Sequence, residues 1–155
     1  GTTYYIVVDG YGGDADARMR LPLEIAADLR AVWPDDKPLF VRVSASDHAE
    51  GGLTPDDTVL FARRLREVGV DVVDCSSGGV SGSATAGRAP RGYGFQVPYA
   101  EQVRREADIA TMAVGLITDP RQADAIVAEG RAAAPVATEE LFADPPPALR
   151  DYLGT

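Results

Sequence analysis

The chain has 155 residues, 45% of them hydrophobic, and a formal net charge of −9 at pH 7. Because this is the length of one ordinary domain with enough apolar residues for a core, residues 1–155 are predicted to form a single domain. The negative charge disfavours nucleic acid and anionic membranes as partners, since both repel an acidic surface. No apolar run approaches the roughly 20 residues of a membrane span, and the chain lacks the basic start of a signal peptide.

The chain has one cysteine and one histidine. With Cys75 alone there is no disulfide framework and no cysteine cluster for a metal, and its place at the end of a predicted strand favours a small buried hydrophobe. His48 follows a predicted strand and is expected to be a solvated loop residue. These features predict a cytoplasmic protein without a metal centre.

The first strand and helix signals lie in the first 47 residues. Residues 3–8 favour a β-strand, and residues 17–32 place apolar side chains at helical spacing. Residues 38–47 contain an unbroken apolar run, which predicts a parallel strand covered on both faces. Arg42 lies in the middle of this run. Because an unpaired guanidinium is costly in such a place, Arg42 must meet an anion or a set of acceptors.

Two more strands follow with similar spacing. Strands are predicted at 70–75 and 109–114, and helices are predicted to begin at Thr54–Pro55, at Pro98 and at Thr118. A loop of small residues opens directly after the strand at 70–75. A fourth strand at 132–137 is weakly indicated, because Pro135 removes a backbone donor from the ladder. The repeat of roughly 30 residues is typical of βα units.

Three segments together resemble a known family. They are the run PLFVRVSASD at 38–47, Glu-Gly-Gly at 50–52, and DVVDCSSGG at 71–79. They are similar to the C-terminal half of the Old Yellow Enzyme family, in its branch of bacterial NADPH dehydrogenases and xenobiotic reductases. The resemblance implies an α/β fold, a partial (half) TIM (β/α)8 barrel with three to four parallel βα units. A complete barrel needs roughly 250 residues, so this chain is expected to supply only about half of the strands.

The resemblance also implies binding residues for FMN. Arg42 matches the arginine that faces the pyrimidine edge of the flavin, although a structural ion pair would also account for it. Gly115 matches the glycine at which the FMN phosphate approaches the backbone, with a tight bend as the alternative. Ser77 and Gly78 are expected to line the same cavity, unless they form only a turn. No catalytic residue is assigned in this chain, because the family's histidine pair and tyrosine lie in the other half of the barrel.

The phosphate site departs from the family at its last two residues. Thr138 and Glu139 stand where the family has a Gly-Arg pair. Thr138 retains a hydroxyl donor, but a carboxylate at Glu139 disfavours a phosphate dianion. FMN binding by the isolated chain is therefore expected to be weak or absent.

Two functions remain open from the sequence. The first is the C-terminal half of an FMN-dependent NAD(P)H oxidoreductase of the ene-reductase type, in which NADPH reduces FMN and FMN reduces an activated alkene. The second is a catalytically inactive, truncated or engineered half-barrel that self-associates. Since a half-barrel leaves strand edges unpaired, a homo-oligomer or a complementary half-barrel is expected as the partner, beside a small-molecule substrate.

Overall fold

The computed structural model describes residues 14–78 and 92–135. The predicted strand at 3–8, the loop at 79–91 and the segment containing Thr138 and Glu139 lie outside the described residues. In chain order the elements are α1 (Ala15–Val32), β1 (Phe40–Ser44), α2 (Pro55–Glu67), β2 (Val72–Ser76), α3 (Val97–Ala107), β3 (Ala110–Ala113), α4 (Pro120–Ala128) and β4 (Ala134–Pro135).

The four strands form one parallel sheet in the order β1-β2-β3-β4. A helix lies between each pair of neighbouring strands in the chain. Because the strand order runs in one direction and such crossovers are almost always right-handed, the three helices belong on the same face of the sheet. The predicted succession of three to four βα units is confirmed. The described part of the fourth strand pairs with β3 at Ala134 and Pro135, and residues 136 and 137 of its predicted range lie outside the described residues.

The two faces of the sheet are buried to different extents. Side chains alternate along each strand, so every second residue faces the helices and forms the core. The core-facing strand residues are Val41, Val43, Val73, Cys75, Thr111 and Ala113, all buried. The opposite side, which we term the open face, carries Phe40, Arg42, Ser44, Val72, Asp74, Ala110 and Met112.

The open face is only partly covered. The described helices all pack on the other side of the sheet, and Phe40 keeps 39% of its surface exposed. The prediction that the strand at 38–47 is covered on both faces is therefore wrong for the described part of the chain. In a closed barrel this face would line the barrel interior and meet the strands opposite.

Arg30 fastens α1 to the amino end of the sheet. The helix begins at Ala15, with Asp14 as its N-cap, slightly before the predicted start. The Arg30 guanidinium donates to the Asp71 carboxylate at 3.2 Å, and Asp71 also accepts the backbone N–H of Leu39 at 2.7 Å. The Arg30 guanidinium also donates to the backbone carbonyls of Trp33, Pro34 and Lys37. The contacts at the amino end of the sheet therefore stabilise the fold, as is typical of this end in barrel proteins.

The helix starts follow the predicted chemistry with one correction. Thr54 is the N-cap of α2 and Pro55 its first residue, as predicted, and the structure adds a reciprocal capping box between Thr54 and Asp57. The N-cap of α4 is Asp119, not Thr118. The Asp119 carboxylate accepts the backbone N–H of Arg121 at 2.8 Å, a stronger cap than a hydroxyl would provide. Among the described helices, none is long and apolar enough to cross a membrane.

Candidate functional site

The loops after β1 and β2 are tied together at the carboxyl end of the sheet. The Ser44 hydroxyl donates to the carbonyl of Gly78 at 3.0 Å, and the backbone N–H of Gly78 donates to the carbonyl of Ser46 at 2.7 Å. Parallel strands all end at one edge, so the loops that follow them share a common surface. The structure therefore places Ser77 and Gly78 at the edge where barrel enzymes bind their ligands.

Gln96 connects this edge to the start of α3. Its side-chain amide donates to the Ser77 hydroxyl at 2.8 Å and approaches the Ser77 carbonyl at 3.4 Å. Gln96 is buried, and it precedes the first residue of α3. Gln96 is absent from the predicted site, because nothing in the local sequence indicates a contact with a residue 19 positions away.

Gly115 lies at the same edge, directly beyond β3. Its φ is +103°, and its carbonyl accepts the backbone N–H of Gly94 at 2.8 Å. A Cβ at this position would come within 3.0 Å of the Gln96 carboxamide oxygen and of the Phe95 ring. The bend and the close contact are enough to require glycine here. The role of Gly115 toward a phosphate stays a prediction.

His48 is not the solvated loop residue that its sequence predicts. It is half-buried, and its φ of 52° places a non-glycine residue in the left-handed region. Its Nε2 lies 3.4 Å from the Tyr99 hydroxyl, and the two rings meet edge to face with centroids 6.0 Å apart. Burial raises the pKa of Tyr99, so this phenol stays protonated at neutral pH. The pair joins the β1 loop to α3 beside Gly78.

Arg42 meets the anion that its position requires. Its Nη1 lies 3.2 Å from Oδ2 of Asp74, the residue opposite it in register on β2. The Asp74 side chain is 12% exposed and the Arg42 side chain 40%. Desolvation raises the pKa of Asp74 and outweighs the opposing attraction of Arg42. The prediction of an anionic partner for Arg42 is confirmed, and the pair lies on the open face.

Cys75 and the acidic residues provide no further chemistry in the described part of the chain. Cys75 faces the core, is fully buried, and has its thiol pKa raised by burial, in agreement with its predicted role as a small hydrophobe. Within residues 14–78 and 92–135 there is no group of three or more histidine, cysteine, aspartate or glutamate residues arranged to hold a metal ion.

The predicted site residues thus occupy two places. Arg42 lies in the middle of β1 on the open face, while Ser77, Gly78 and Gly115 lie at the carboxyl edge of the sheet. Ser44 is the next residue of β1 on the open face, and its hydrogen bond to Gly78 connects the two places. Thr138 lies outside the described residues. The arrangement offers exposed guanidinium donors beside a rim of backbone groups and hydroxyls.

Comparison with known proteins identifies the family. Residues 7–149 match the NADH:flavin oxidoreductase / NADH oxidase family. The chain belongs to this family. It is 48% identical over 150 residues to an NADPH dehydrogenase of Geobacillus sp. (strain WCH70), and 45% identical over 137 residues to an NADPH dehydrogenase of Bacillus subtilis (strain 168). The resemblance drawn from the sequence is confirmed.

The match covers most of this chain but less than half of these relatives. The aligned region is 95% of the chain and 42% of the Geobacillus enzyme, and 88% of the chain and 39% of the Bacillus enzyme. The chain therefore spans about two fifths of the length of these NADPH dehydrogenases. The family and the names of these relatives support the prediction of FMN and NADPH as cofactors.

Solved structures show the same fold. A 2-naphthoyl-CoA reductase complex superposes with a TM-score of 0.73 at 24% identity, over 94% of this chain and 22% of that chain. A histamine dehydrogenase from Rhizobium sp. 4-9 superposes with a TM-score of 0.70 at 21% identity, over 94% of this chain and 21% of that chain. The chain thus shares its fold with about a fifth of each of these longer chains, in line with the predicted partial barrel.

Proposed function

We propose that the chain is the C-terminal part of an FMN-dependent NAD(P)H oxidoreductase of the ene-reductase type, which reduces an activated alkene with NADPH. The observation that carries this proposal is the position of Arg42 on the open face of a parallel sheet. A guanidinium in the middle of a barrel strand costs stability unless it serves a ligand or a firm ion pair. FMN would supply hydride transfer between the two substrates, and the protein would hold and orient it.

The described residues fit one edge of a flavin. A guanidinium has five N–H donors, and in the described chain Arg42 uses one of its nitrogens for Asp74. The remaining donors lie on a partly exposed side chain, where they can meet the acceptor atoms of a pyrimidine ring. A fixed positive charge at that edge stabilises the negative charge of the reduced ring. Arg42 would therefore bind the ring and favour its reduction.

The carboxyl edge would hold the rest of the cofactor. Gly115 would let a phosphate approach the backbone, with Ser77 and Gly78 beside it and Thr138 as a hydroxyl donor. The bonds of Ser77 to Gln96 and of Gly78 to Ser46 hold this rim in place before a ligand arrives. Such preorganisation lowers the ordering cost of binding.

The open face needs a cover that the described residues do not provide. We propose that the other half of a (β/α)8 barrel covers it, either from another chain or from a second copy of this chain. The exposure of Phe40 on the open face supports this, because burying an exposed apolar side chain favours association. Sedimentation at tens of micromolar protein tests it: self-association supports the second copy, and a monomer that binds an added N-terminal half supports the first. A cytoplasmic location stays part of the proposal.

FMN binding by the purified chain tests the proposal at the site itself. We expect weak binding, because water screens Arg42 on an open face and part of the pocket is missing. The measurement is FMN fluorescence quenching against protein concentration for the native chain and for Arg42→Met. The matched control is Arg105→Met, an exposed arginine in the last turn of α3, which leads into the amino end of β3. Weaker binding in Arg42→Met alone supports the role of Arg42, whereas equal binding in all three proteins contradicts it.

A further inference from the structure

Asp74 is a buried carboxylate that lies outside the hydrophobic core. It lies on the open face between Arg42 and Met112 in the register of the sheet, and not in the core that holds the helices. Its pKa is raised, because desolvation exceeds the attraction of Arg42. The ionised form therefore costs stability at neutral pH. A polar residue of matching size without a charge would be cheaper here.

The contact between Asp74 and Arg42 is one-sided. It joins one guanidinium nitrogen to one carboxylate oxygen, and the second oxygen, Oδ1, is buried without a hydrogen-bond partner. Arg30 provides the contrast, since its guanidinium serves three backbone carbonyls and the Asp71 carboxylate. Both terminal nitrogens of Arg30 serve the fold, whereas Arg42 uses only Nη1 for Asp74 and keeps its other terminal nitrogen for the open face.

We propose that Asp74 is a positioning residue for Arg42: it fastens one side of the guanidinium to β2 and offsets part of its positive charge, so that it limits how strongly Arg42 favours reduced over oxidised flavin. The charge effect on the flavin rests on the proposed function. The fastening of Arg42 by Asp74 concerns only the protein. Reduced FMN carries an extra negative charge, so any charge near Arg42 acts differently on the two oxidation states.

The fastening is tested without flavin. The measurement is the NMR signal of the Arg42 guanidinium in the native chain, in Asp74→Asn, and in Asp74→Ala. Slow side-chain rotation and protected N–H signals are expected in the native chain, with faster exchange in Asp74→Ala and an intermediate result in Asp74→Asn, which retains an acceptor. The control is Asp108→Asn, which removes the exposed partner of Arg66 and should leave Arg42 unchanged. Identical Arg42 signals in all four proteins would overturn the positioning role.

The charge effect is tested by affinity for the two oxidation states of FMN. NMR titration under anaerobic conditions gives the ratio of affinities for reduced and oxidised FMN, even where both are weak. Asp74→Asn is expected to raise this ratio about three- to tenfold, since a unit negative charge is removed near the ring. An unchanged ratio with measurable binding overturns this half of the inference alone. No binding by any variant overturns the charge effect for the isolated chain but not the proposed function, which the mixture with a complementary half-barrel tests, and the NMR signals of Arg42 still decide whether Asp74 fastens it.

Discussion

Replacing Arg42 by methionine should expose the cost of the buried Asp74 carboxylate. Breaking a fully buried ion pair by removing one partner costs about 3–5 kcal/mol. Since 40% of the Arg42 side chain is exposed, water already shares in solvating this pair. We therefore expect a loss of about 1–3 kcal/mol in the free energy of unfolding at pH 7, the usual cost of one unsatisfied buried group.

The loss should depend on pH in a defined direction. The pKa of Asp74 is raised in the folded chain, so its contribution to stability is greatest below its unfolded pKa and is lost as the pH rises through the folded pKa. In Arg42→Met the attraction that opposes this shift is gone, so Asp74 takes up a proton more readily. The destabilisation should therefore be largest near neutral pH and shrink as the pH falls.

Urea unfolding followed by circular dichroism at several pH values measures both effects. The double variant Arg42→Met with Asp74→Asn should recover most of the stability, because no charge is left unpaired. Arg121→Met removes an exposed ion pair and should change stability by less than about 1 kcal/mol. A loss that is independent of pH, or that Asp74→Asn does not reverse, would refute the reasoning and point to lost packing of the Arg42 stem.

Three further predictions, two of them with a matched control variant, test the packing, a tight bend and a helix cap by the same urea measurement. Leu65→Ala, at a fully buried position of α2, should cost about 2–5 kcal/mol, whereas the half-exposed Leu60→Ala should cost clearly less; equal losses would contradict the described burial. Gly115→Ala should cost about 1–3 kcal/mol from a positive φ and a close contact, and more than Gly130→Ala, which shares the positive φ but meets open space. Thr54→Ala removes one side of the capping box and should cost about 1 kcal/mol; no loss would show that the cap is not needed.

Local chemistry made several elements predictable. Thr54 before a proline and two acidic residues is a complete helix start within four positions, and the structure has it as predicted. The demand of Arg42 for an anion follows from the cost of burying a charge, so it could be inferred from one residue in an apolar run.

The contacts that build the candidate site are long-range and could not be inferred in this way. Asp74 is 32 residues from Arg42, and Tyr99 is 51 residues from His48. Register across the sheet decides the first pair, and the packing of α3 decides the second, and neither is encoded in a local pattern. The open face was missed for a related reason. The strand sequence reflects burial in a complete barrel, and it is the same whether or not the covering half is present.

The most direct test of the account is NADPH oxidation by the purified chain with added FMN and an activated alkene. It is measured with and without the complementary N-terminal segment of a related NADPH dehydrogenase. We predict little turnover by the chain alone and clear turnover in the mixture, reduced in the mixture made with Arg42→Met. Absence of turnover in both preparations, although the segments associate, would contradict the proposal that this chain forms part of a working FMN-dependent oxidoreductase.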